Sequence, residues 1–482
     1  MKTKIISLPD QKSVAKTSNR SESSFLKILE PTSYLFSWGK NKKFCIRTYG
    51  CQANVRDSEI IRNYLLQIGM EEQDNFLNAD FILFNTCAVR ENAENHLYGE
   101  LGQCKDAYNK NKDMIIAVCG CVVQEDEATK YILDKFHYVK LIFGTSRINS
   151  FYSLLESVIK DNMRIVNVSS TDFEVFDEPI GVKESRFSKH KAFVNIMYGC
   201  NKYCTYCIVP YTRGRERSRL KEDIINEVVS LKNRGYKEVT LLGQNVDAYG
   251  KDKSNEYAFA SLLEEVAKTA IERIRFTTPY PSDFNSTVFD VMKKYKNIMP
   301  SLHLPIQSGS NSVLKRMNRR YTKEEYLEIV KQLRERLPEV FLTTDIIVGF
   351  PNETDEEFED TMKLVEEVKY DSAFTFIYSK RPGTPASKLK DEISDETKHI
   401  RFDRLKKLID QQASDSAKRF VGKEVYVLFD DVSKKDKTMI SGYNEQGKLV
   451  HVKGDSSLLG QIKKVRILNS HVYSLIGEVI NE

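Results

Sequence analysis

The chain has 482 residues, 41% hydrophobic and 29% charged, with a mean hydropathy of −0.44 and only 12 prolines. At roughly 150 residues per domain this is the composition of about three soluble globular domains, which excludes a single small module, a collagen or a wholly disordered chain. The net charge of +5 resides in residues 1–43, which hold nine Lys and Arg against three Asp and Glu. That Ser-, Lys- and Asn-rich stretch is expected to be a flexible basic arm. The longest apolar run, Met114 to Val123, falls well short of the ~18 residues of a membrane span. The amino terminus has only Ile5 and Ile6 before polar residues resume, unlike a secretory signal, so the expected location is the cytoplasm.

From residue 44 to 160, the runs KFCIRTY, DFILFNT, MIIAVCG and VKLIFG alternate with helical patterns such as RDSEIIRNYLLQIGM, where Ile60, Ile61, Tyr64 and Leu65 share one face. This predicts an N-terminal α/β domain with a parallel sheet. A polar connection is expected at 161–185. Between 186 and 418 six further strand candidates, AFVNIMY, EVTLLG, RIRFTT, SLHLPI, FLTTDIIVGF and AFTFIYS, alternate with helices. Right-handed β-α-β connections curl such a series in one direction, which predicts a partial (β/α)6 barrel. Over 419–482 the pattern changes to EVYVLFD, TMISGYN, LVHVKG, QIKKVRIL and YSLIGEVI, five short strands that predict a small antiparallel β-barrel.

Nine cysteines, an odd number without a secretion signal, argue against a disulfide framework. Cys200, Cys204 and Cys207 form a C-x3-C-x2-C group directly after the first strand of the second domain, where α/β architectures build sites. Sulfur donors favour zinc or iron–sulfur centres, and structural zinc normally takes four ligands. Three thiols with no fourth partner suit a [4Fe–4S] cluster with one iron open; the alternative is three small buried hydrophobes. Cys51, Cys87 and Cys121 each follow one of the N-terminal strand candidates. In one parallel sheet they would share an edge and make a second three-thiol site, although each taken alone could be a packing residue. Cys45 and Cys104 read as structural, and Cys119 as ambiguous.

These runs resemble the radical S-adenosylmethionine methylthiotransferase family. Cys200-x3-Cys204-x2-Cys207 is similar to the cluster loop of radical S-adenosylmethionine enzymes. With TYGCQANVRDSE, NTCAVREN, GCVVQ and GCNKYCTYCIVPYTRGRERSR the resemblance is closest to the tRNA branch that makes 2-methylthio-N6-dimethylallyladenosine. It runs from about residue 44 to the carboxyl terminus. It implies two [4Fe–4S] clusters, one on Cys200, Cys204 and Cys207 that cleaves S-adenosylmethionine and an auxiliary one on Cys51, Cys87 and Cys121. It also implies a partial (β/α)6 barrel and a C-terminal TRAM module that binds tRNA. The C2–H bond of adenine is unactivated, so acid–base groups cannot exchange its hydrogen for sulfur. The resemblance implies a 5′-deoxyadenosyl radical for that step, sulfur by way of the auxiliary cluster, and a methyl group from a second S-adenosylmethionine. The implied partners are tRNA carrying dimethylallyladenosine, a low-potential flavodoxin or ferredoxin, and a sulfur source that repairs the cluster, with no membrane.

In the second domain, LLGQNVDAYG offers Gln244 and Asn245, PIQSGSN offers Gln307, Ser308 and Gly309, and TTDIIVGFPNET offers Asp345, Gly349 and Glu353 for S-adenosylmethionine. Turn chemistry and capping, for instance by Thr354, would explain the same residues. Arg213, Arg215, Arg217 and Arg219, with Tyr206 and Tyr211, could meet RNA phosphates and a base, or form a solvated charge run in which one or two arginines bridge to acidic partners. His303 reads as a hydrogen-bonded core histidine. Competing functions are a sibling methylthiotransferase acting on threonylcarbamoyladenosine or a ribosomal-protein aspartate, and a non-catalytic iron–sulfur carrier or zinc RNA-binding scaffold.

Overall fold

The computed structural model describes residues 2–10, 30–88, 91–168, 186–253, 258–433 and 436–480. Most of the expected connection, 169–185, and the middle of the expected arm, 11–29, lie outside these residues. Packing forms two compact units, each assembled from separate stretches of chain. One comprises Met1–Phe187, Met197–Arg219 and Arg381–Ser387; the other comprises Ser188–Ile196, Leu220–Lys380 and Lys388–Glu482.

The first unit is built on β1 (Thr3–Ser7), β2 (Lys43–Tyr49), β3 (Glu71–Glu72), β4 (Phe81–Thr86), β5 (Ile115–Gly120), β6 (Val139–Phe143) and β7 (Arg164–Asn167), ordered β1-β7-β6-β5-β4-β2-β3. Every pairing is parallel. β4 and β5 are buried along their whole length, which is why they read as unbroken apolar runs. Alternate residues divide between two cores. Phe81 and Leu83 pack with Leu65, Phe143 and Phe151, whereas Ile82 and Phe84 pack with Leu97, Leu101 and Ile132. Each such side chain contributes about 1.5–3 kcal/mol by leaving water. The basic arm is not unstructured throughout: β1 adds to β7, and the helix Ser33–Gly39, capped by Thr32, buries Leu35 in the first core. Backbone pairing with an open sheet edge orders β1 without an apolar face, so composition could not disclose it. The hairpin β9 (Met197–Tyr198) and β10 (Arg217–Ser218) completes this unit.

The second unit contains the six expected strands in chain order: β8 (Lys191–Asn195), β11 (Glu238–Leu242), β12 (Arg273–Phe276), β13 (Ser301–His303), β14 (Phe341–Val348) and β15 (Ser372–Ile377). β8-β11-β12 and β13-β14-β15 are parallel triplets, joined by a bridge between Ile274 and Ile298. Spatial order equals chain order, the arrangement of a half-closed (β/α)6 barrel.

β16 (Glu424–Val432), β17 (Met439–Asn444), β18 (Leu449–Lys453), β19 (Ile462–Ser470) and β20 (Ser474–Val479) close a barrel in the order β16-β17-β18-β20-β19. One pair, β18 with β20, is parallel, a departure from the all-antiparallel expectation. A ring of five strands cannot alternate direction at every step, so closure forces one such pair. Arg273 and Arg275 fasten this barrel to the half-barrel by donating to the carbonyls of Tyr426, Tyr443, Asn444 and Glu445.

Lys448, 3% exposed, donates to the Val472 carbonyl at 2.8 Å, and burial pulls its pKa down to about 8. The unfolded chain keeps this amine protonated to about pH 10.5. The native state therefore binds fewer protons between these values, and the cost of burying the charge, full at neutral pH, is relieved as pH rises through that window. Lys448→Met is expected to stabilise the chain by about 2 kcal/mol at pH 7, net of one lost hydrogen bond, and not at all near pH 10.5. Urea midpoints at the two pH values check this.

Candidate functional site

The sheet of the first unit sets three cysteines in a row. Register pairs Tyr49 with Thr86 and Thr86 with Gly120 across three adjacent strands. Cys51, Cys87 and Cys121 follow these residues, so all three leave the same carboxyl edge. Cys51 is the N-cap of the helix Gln52–Gln67, the Cys87 amide donates to Tyr49 O at 2.8 Å, and Cys121 opens a 3-10 turn. Gly120 makes the last turn possible. Its φ is +100°, and a Cβ there would lie 2.3 Å from Thr86 O and 2.5 Å from Asn85 Oδ1.

Buried polar residues hold this edge. Asn54 donates to Asn85 Oδ1 at 2.9 Å, and Asn85 returns bonds to Asn54 O and Ser58 Oγ, both at 2.9 Å. The Cys51 thiol donates to Asn54 Oδ1 at 3.3 Å. Arg213 donates to Asp57 Oδ2 at 2.7 Å, with both side chains buried. A hydrogen bond from Cys87, with the positive charge of Arg213 and backbone donors, holds the Cys51 thiol well below its ordinary pKa. Burial pushes Cys121 up, and Arg213 opposes that by charge and by a hydrogen bond. Cys51 is thus the thiol of this set that is primed for anionic sulfur beside a fixed cation, whereas burial keeps the balance at Cys121 toward the neutral thiol.

The second cysteine group lies in the same unit. Gly199, at φ +78°, turns the chain where a Cβ would strike Arg215 O at 2.0 Å. The Cys200 amide then donates to Gly214 O at 3.1 Å and the Cys207 amide to Cys204 O at 2.9 Å. Burial raises the Cys200 pKa, as does the neighbouring Cys207. Thr205 O accepts from Ala386 N at 2.8 Å, tying the loop to Arg381–Ser387. Behind it Ile208 and Tyr211 pack with Ala88 and Cys121, and Thr145 Oγ1 donates to Thr212 O at 2.9 Å. The helix after Cys207 therefore rests on the edge that carries the first three cysteines.

Among the described residues, no group of three His, Cys, Asp or Glu is arranged to hold a single metal ion. The donor chemistry, two sets of three thiols with Arg213 as balancing charge, fits thiolate-held iron–sulfur clusters. Cys45, Cys104 and Cys119 lie in the cores, with burial raising each thiol.

The arginine run differs from the expected RNA-facing stretch. Arg213, Arg217 and Arg219 are buried; Arg217 donates to the carbonyls of Arg215 and Arg213, and only Arg215 is half-exposed, 4.9 Å above the Tyr203 ring. Arg213 is taken up by Asp57 and Arg217 by backbone carbonyls. Asp57 and the Asn54–Asn85–Ser58 network were not anticipated, although Asn54 and Ser58 stand at helical spacing from Cys51.

The residues expected to bind S-adenosylmethionine all lie in the second unit. Gln244 is half-buried beyond β11; Asn245 is buried and donates to Asp283 Oδ2 at 2.7 Å. Gln307, at φ +73°, is bridged to β14 by its amide and carbonyl. Ser308 is buried with its hydroxyl 3.3 Å from Thr361 Oγ1. A Cβ on Gly309 would meet Thr361 Cα at 2.6 Å, so this glycine admits a helix. Gly349 faces Lys398 in the same way, and its amide donates to Glu353 Oε2 at 2.8 Å. Glu353 is itself held by Arg401, and Thr354 caps its helix in a capping box with Glu357. Asp345 Oδ2 lies 3.3 Å from His303 Nε2, and His303 is 23% exposed and not fully in the core.

Three family models match: the Radical SAM superfamily over residues 194–365, Uncharacterized protein family UPF0004 over 43–144, and the TRAM domain over 418–480. A tRNA-2-methylthio-N(6)-dimethylallyladenosine synthase of Geobacillus kaustophilus (strain HTA426) is 46% identical over 476 residues, covering 98% of this chain and 89% of the relative. The synthase of the same name from Bacillus subtilis (strain 168) is 47% identical over 445 residues, 92% of this chain and 87% of that one. Among solved structures, the radical S-adenosylmethionine methyltransferase TsrM of Kitasatospora setae aligns with a TM-score of 0.54 at 13% identity, over 72% of this chain and 75% of that chain, a likeness of fold.

Proposed function

The chain belongs to the tRNA-2-methylthio-N(6)-dimethylallyladenosine synthase family, and from that premise we propose that it converts N6-dimethylallyladenosine beside the tRNA anticodon to its 2-methylthio derivative. The observation that carries this reading is the level row of Cys51, Cys87 and Cys121, packed in one unit with the Cys200, Cys204 and Cys207 loop. Each set would hold a [4Fe–4S] cluster. Bound there, the clusters supply the low-potential electron for cleaving S-adenosylmethionine and the sulfur that replaces the unactivated C2 hydrogen.

The chain's own residues prepare the place. Cys87 and Arg213 lower the pKa of the Cys51 thiol, Gly120 brings Cys121 level with Cys87, and Asn85 locks the Cys51 turn to the sheet. Gln244 and Gln307, at the carboxyl ends of half-barrel strands, lead the candidates for polar contacts to S-adenosylmethionine; Asn245 and Ser308 remain candidates while bonded to Asp283 and Thr361. Each turnover consumes electrons and a sulfur atom, which supports a flavodoxin or ferredoxin and a separate sulfur donor as cytoplasmic partners. Among the described residues no helix is long and apolar enough to cross a membrane.

Nucleoside mass spectrometry of tRNA from a strain lacking the gene tests the substrate. The expected result is complete loss of 2-methylthio-N6-dimethylallyladenosine, accumulation of N6-dimethylallyladenosine, and recovery on reintroducing the gene. Loss of the methylthio mark from threonylcarbamoyladenosine alone would assign the chain to the sibling reaction.

A further inference from the structure

One face of the half-barrel carries side chains that the reaction above does not use. Along β14 the half-buried Thr343, Asp345 and Ile347 alternate with fully buried residues, and on β15 Phe374 and Phe376 are 61% and 48% exposed. Register pairs His303 with Thr343, Asp345 with Phe374 and Ile347 with Phe376, so these side chains share a face. His303 is fixed from two sides, with Nδ1 2.9 Å from Thr343 Oγ1 and Nε2 3.3 Å from Asp345 Oδ2. Its ring meets that of Phe374 edge-on, with centroids 6.1 Å apart. The result is an apolar shelf bordered by one carboxylate.

We propose that Phe374 and Phe376 receive the dimethylallyl group of the modified adenosine, and that Asp345, held by His303, excludes an N6 substituent carrying a carboxylate. The inference rests on the substrate proposed above and specifies which residues read it. A branched five-carbon group gains free energy only where apolar surface replaces water, and the two exposed rings offer that surface. The threonylcarbamoyl group carries a carboxylate, which would approach Asp345 charge to like charge. On β12, Arg275 is engaged by Glu238 at 3.0 Å and Ser301 at 2.9 Å, and by the carbonyls of Asn444 and Glu445. Charge and apolarity on this face therefore favour the neutral prenyl substituent.

The test titrates reconstituted holoenzyme with anticodon stem-loops bearing adenosine, dimethylallyladenosine or threonylcarbamoyladenosine at the same position, read by fluorescence anisotropy. Wild type is expected to bind the dimethylallyl stem-loop about tenfold or more tightly than the adenosine one. Phe374→Ala/Phe376→Ala should bring that ratio close to one, while Phe374→Leu/Phe376→Leu, which keeps apolar surface, should retain most of it. Asp345→Asn should raise affinity for the threonylcarbamoyl stem-loop about tenfold relative to adenosine. Referring every value to the adenosine stem-loop cancels any general loss of tRNA affinity. A double alanine variant with the ratio intact overturns the role of the rings, and undiminished rejection of threonylcarbamoyladenosine by Asp345→Asn overturns that of the carboxylate. A wild-type enzyme that prefers the threonylcarbamoyl stem-loop overturns the substrate reading itself, and does so before any variant is compared.

Discussion

Replacing Cys51, Cys87 and Cys121 together by Ala is expected to lower iron from about eight to about four per chain after anaerobic reconstitution, and to abolish methylthio product while S-adenosylmethionine cleavage continues. The expectation follows from how the two sets are built. The first three thiols hang from three separate strand ends, and each backbone turn is fixed by something other than sulfur: the Asn54–Asn85 exchange at Cys51, the amide bond to Tyr49 O at Cys87, and the glycine turn at Cys121. Removing sulfur atoms there leaves the sheet register intact, at about 1 kcal/mol for each small cavity. The Cys200 loop draws its geometry from Gly214 O, Cys204 O and Ala386 N, none of which the substitution touches. A variant that still holds about eight irons would make these cysteines packing residues, and one that loses both iron and S-adenosylmethionine cleavage would mean that the sets are not separate centres.

Much of this was legible in the amino-acid sequence because parallel strands advertise themselves as short apolar runs, and a cysteine just past such a run must leave the sheet at its carboxyl edge. That logic places Cys51, Cys87 and Cys121 on one edge of a parallel sheet, and the half-barrel and C-terminal barrel follow from the same alternation. What it could not supply was partnership over distance. Arg213 looked like one member of a basic run, and nothing local shows that it reaches Asp57, 156 positions earlier. Gly309 and Gly349 read as places for a ligand, and nothing local shows that Thr361 and Lys398 occupy the space a Cβ would need at these two positions. In AFTFIYS the alternation of Phe374 and Phe376 is that of any half-buried strand. Only the register with β14 shows that the exposed face is the one bearing Asp345 and His303.

Arg213→Ala is expected to cost about 3–5 kcal/mol of stability, because it leaves Asp57 charged and unpaired in the interior. Asp57 is 2% exposed and Arg213 6%, and the ion pair joins the segment after the Cys207 loop to the helix that begins at Cys51. Burial disfavours the charge on Arg213, but Asp57, Cys121 and Cys51 outweigh it and hold the guanidinium protonated. Two roles are therefore superimposed and can be separated. In Arg213→Ala/Asp57→Asn the stranded carboxylate is gone, so the urea midpoint should recover most of the loss. The Cys51 and Cys121 thiols still lack their cation, so iron loading of that set should remain depressed. Arg213→Lys keeps the charge without the planar fork and should fall between, nearer wild type in iron than in stability. If the double variant regained iron together with stability, Arg213 would act only as the partner of Asp57. If Arg213→Ala changed neither, the buried ion pair would contribute no net stability and no charge balance to the thiols, and the link between the two cysteine sets would have to run through the packing of Ile208 and Tyr211 on Cys121 alone.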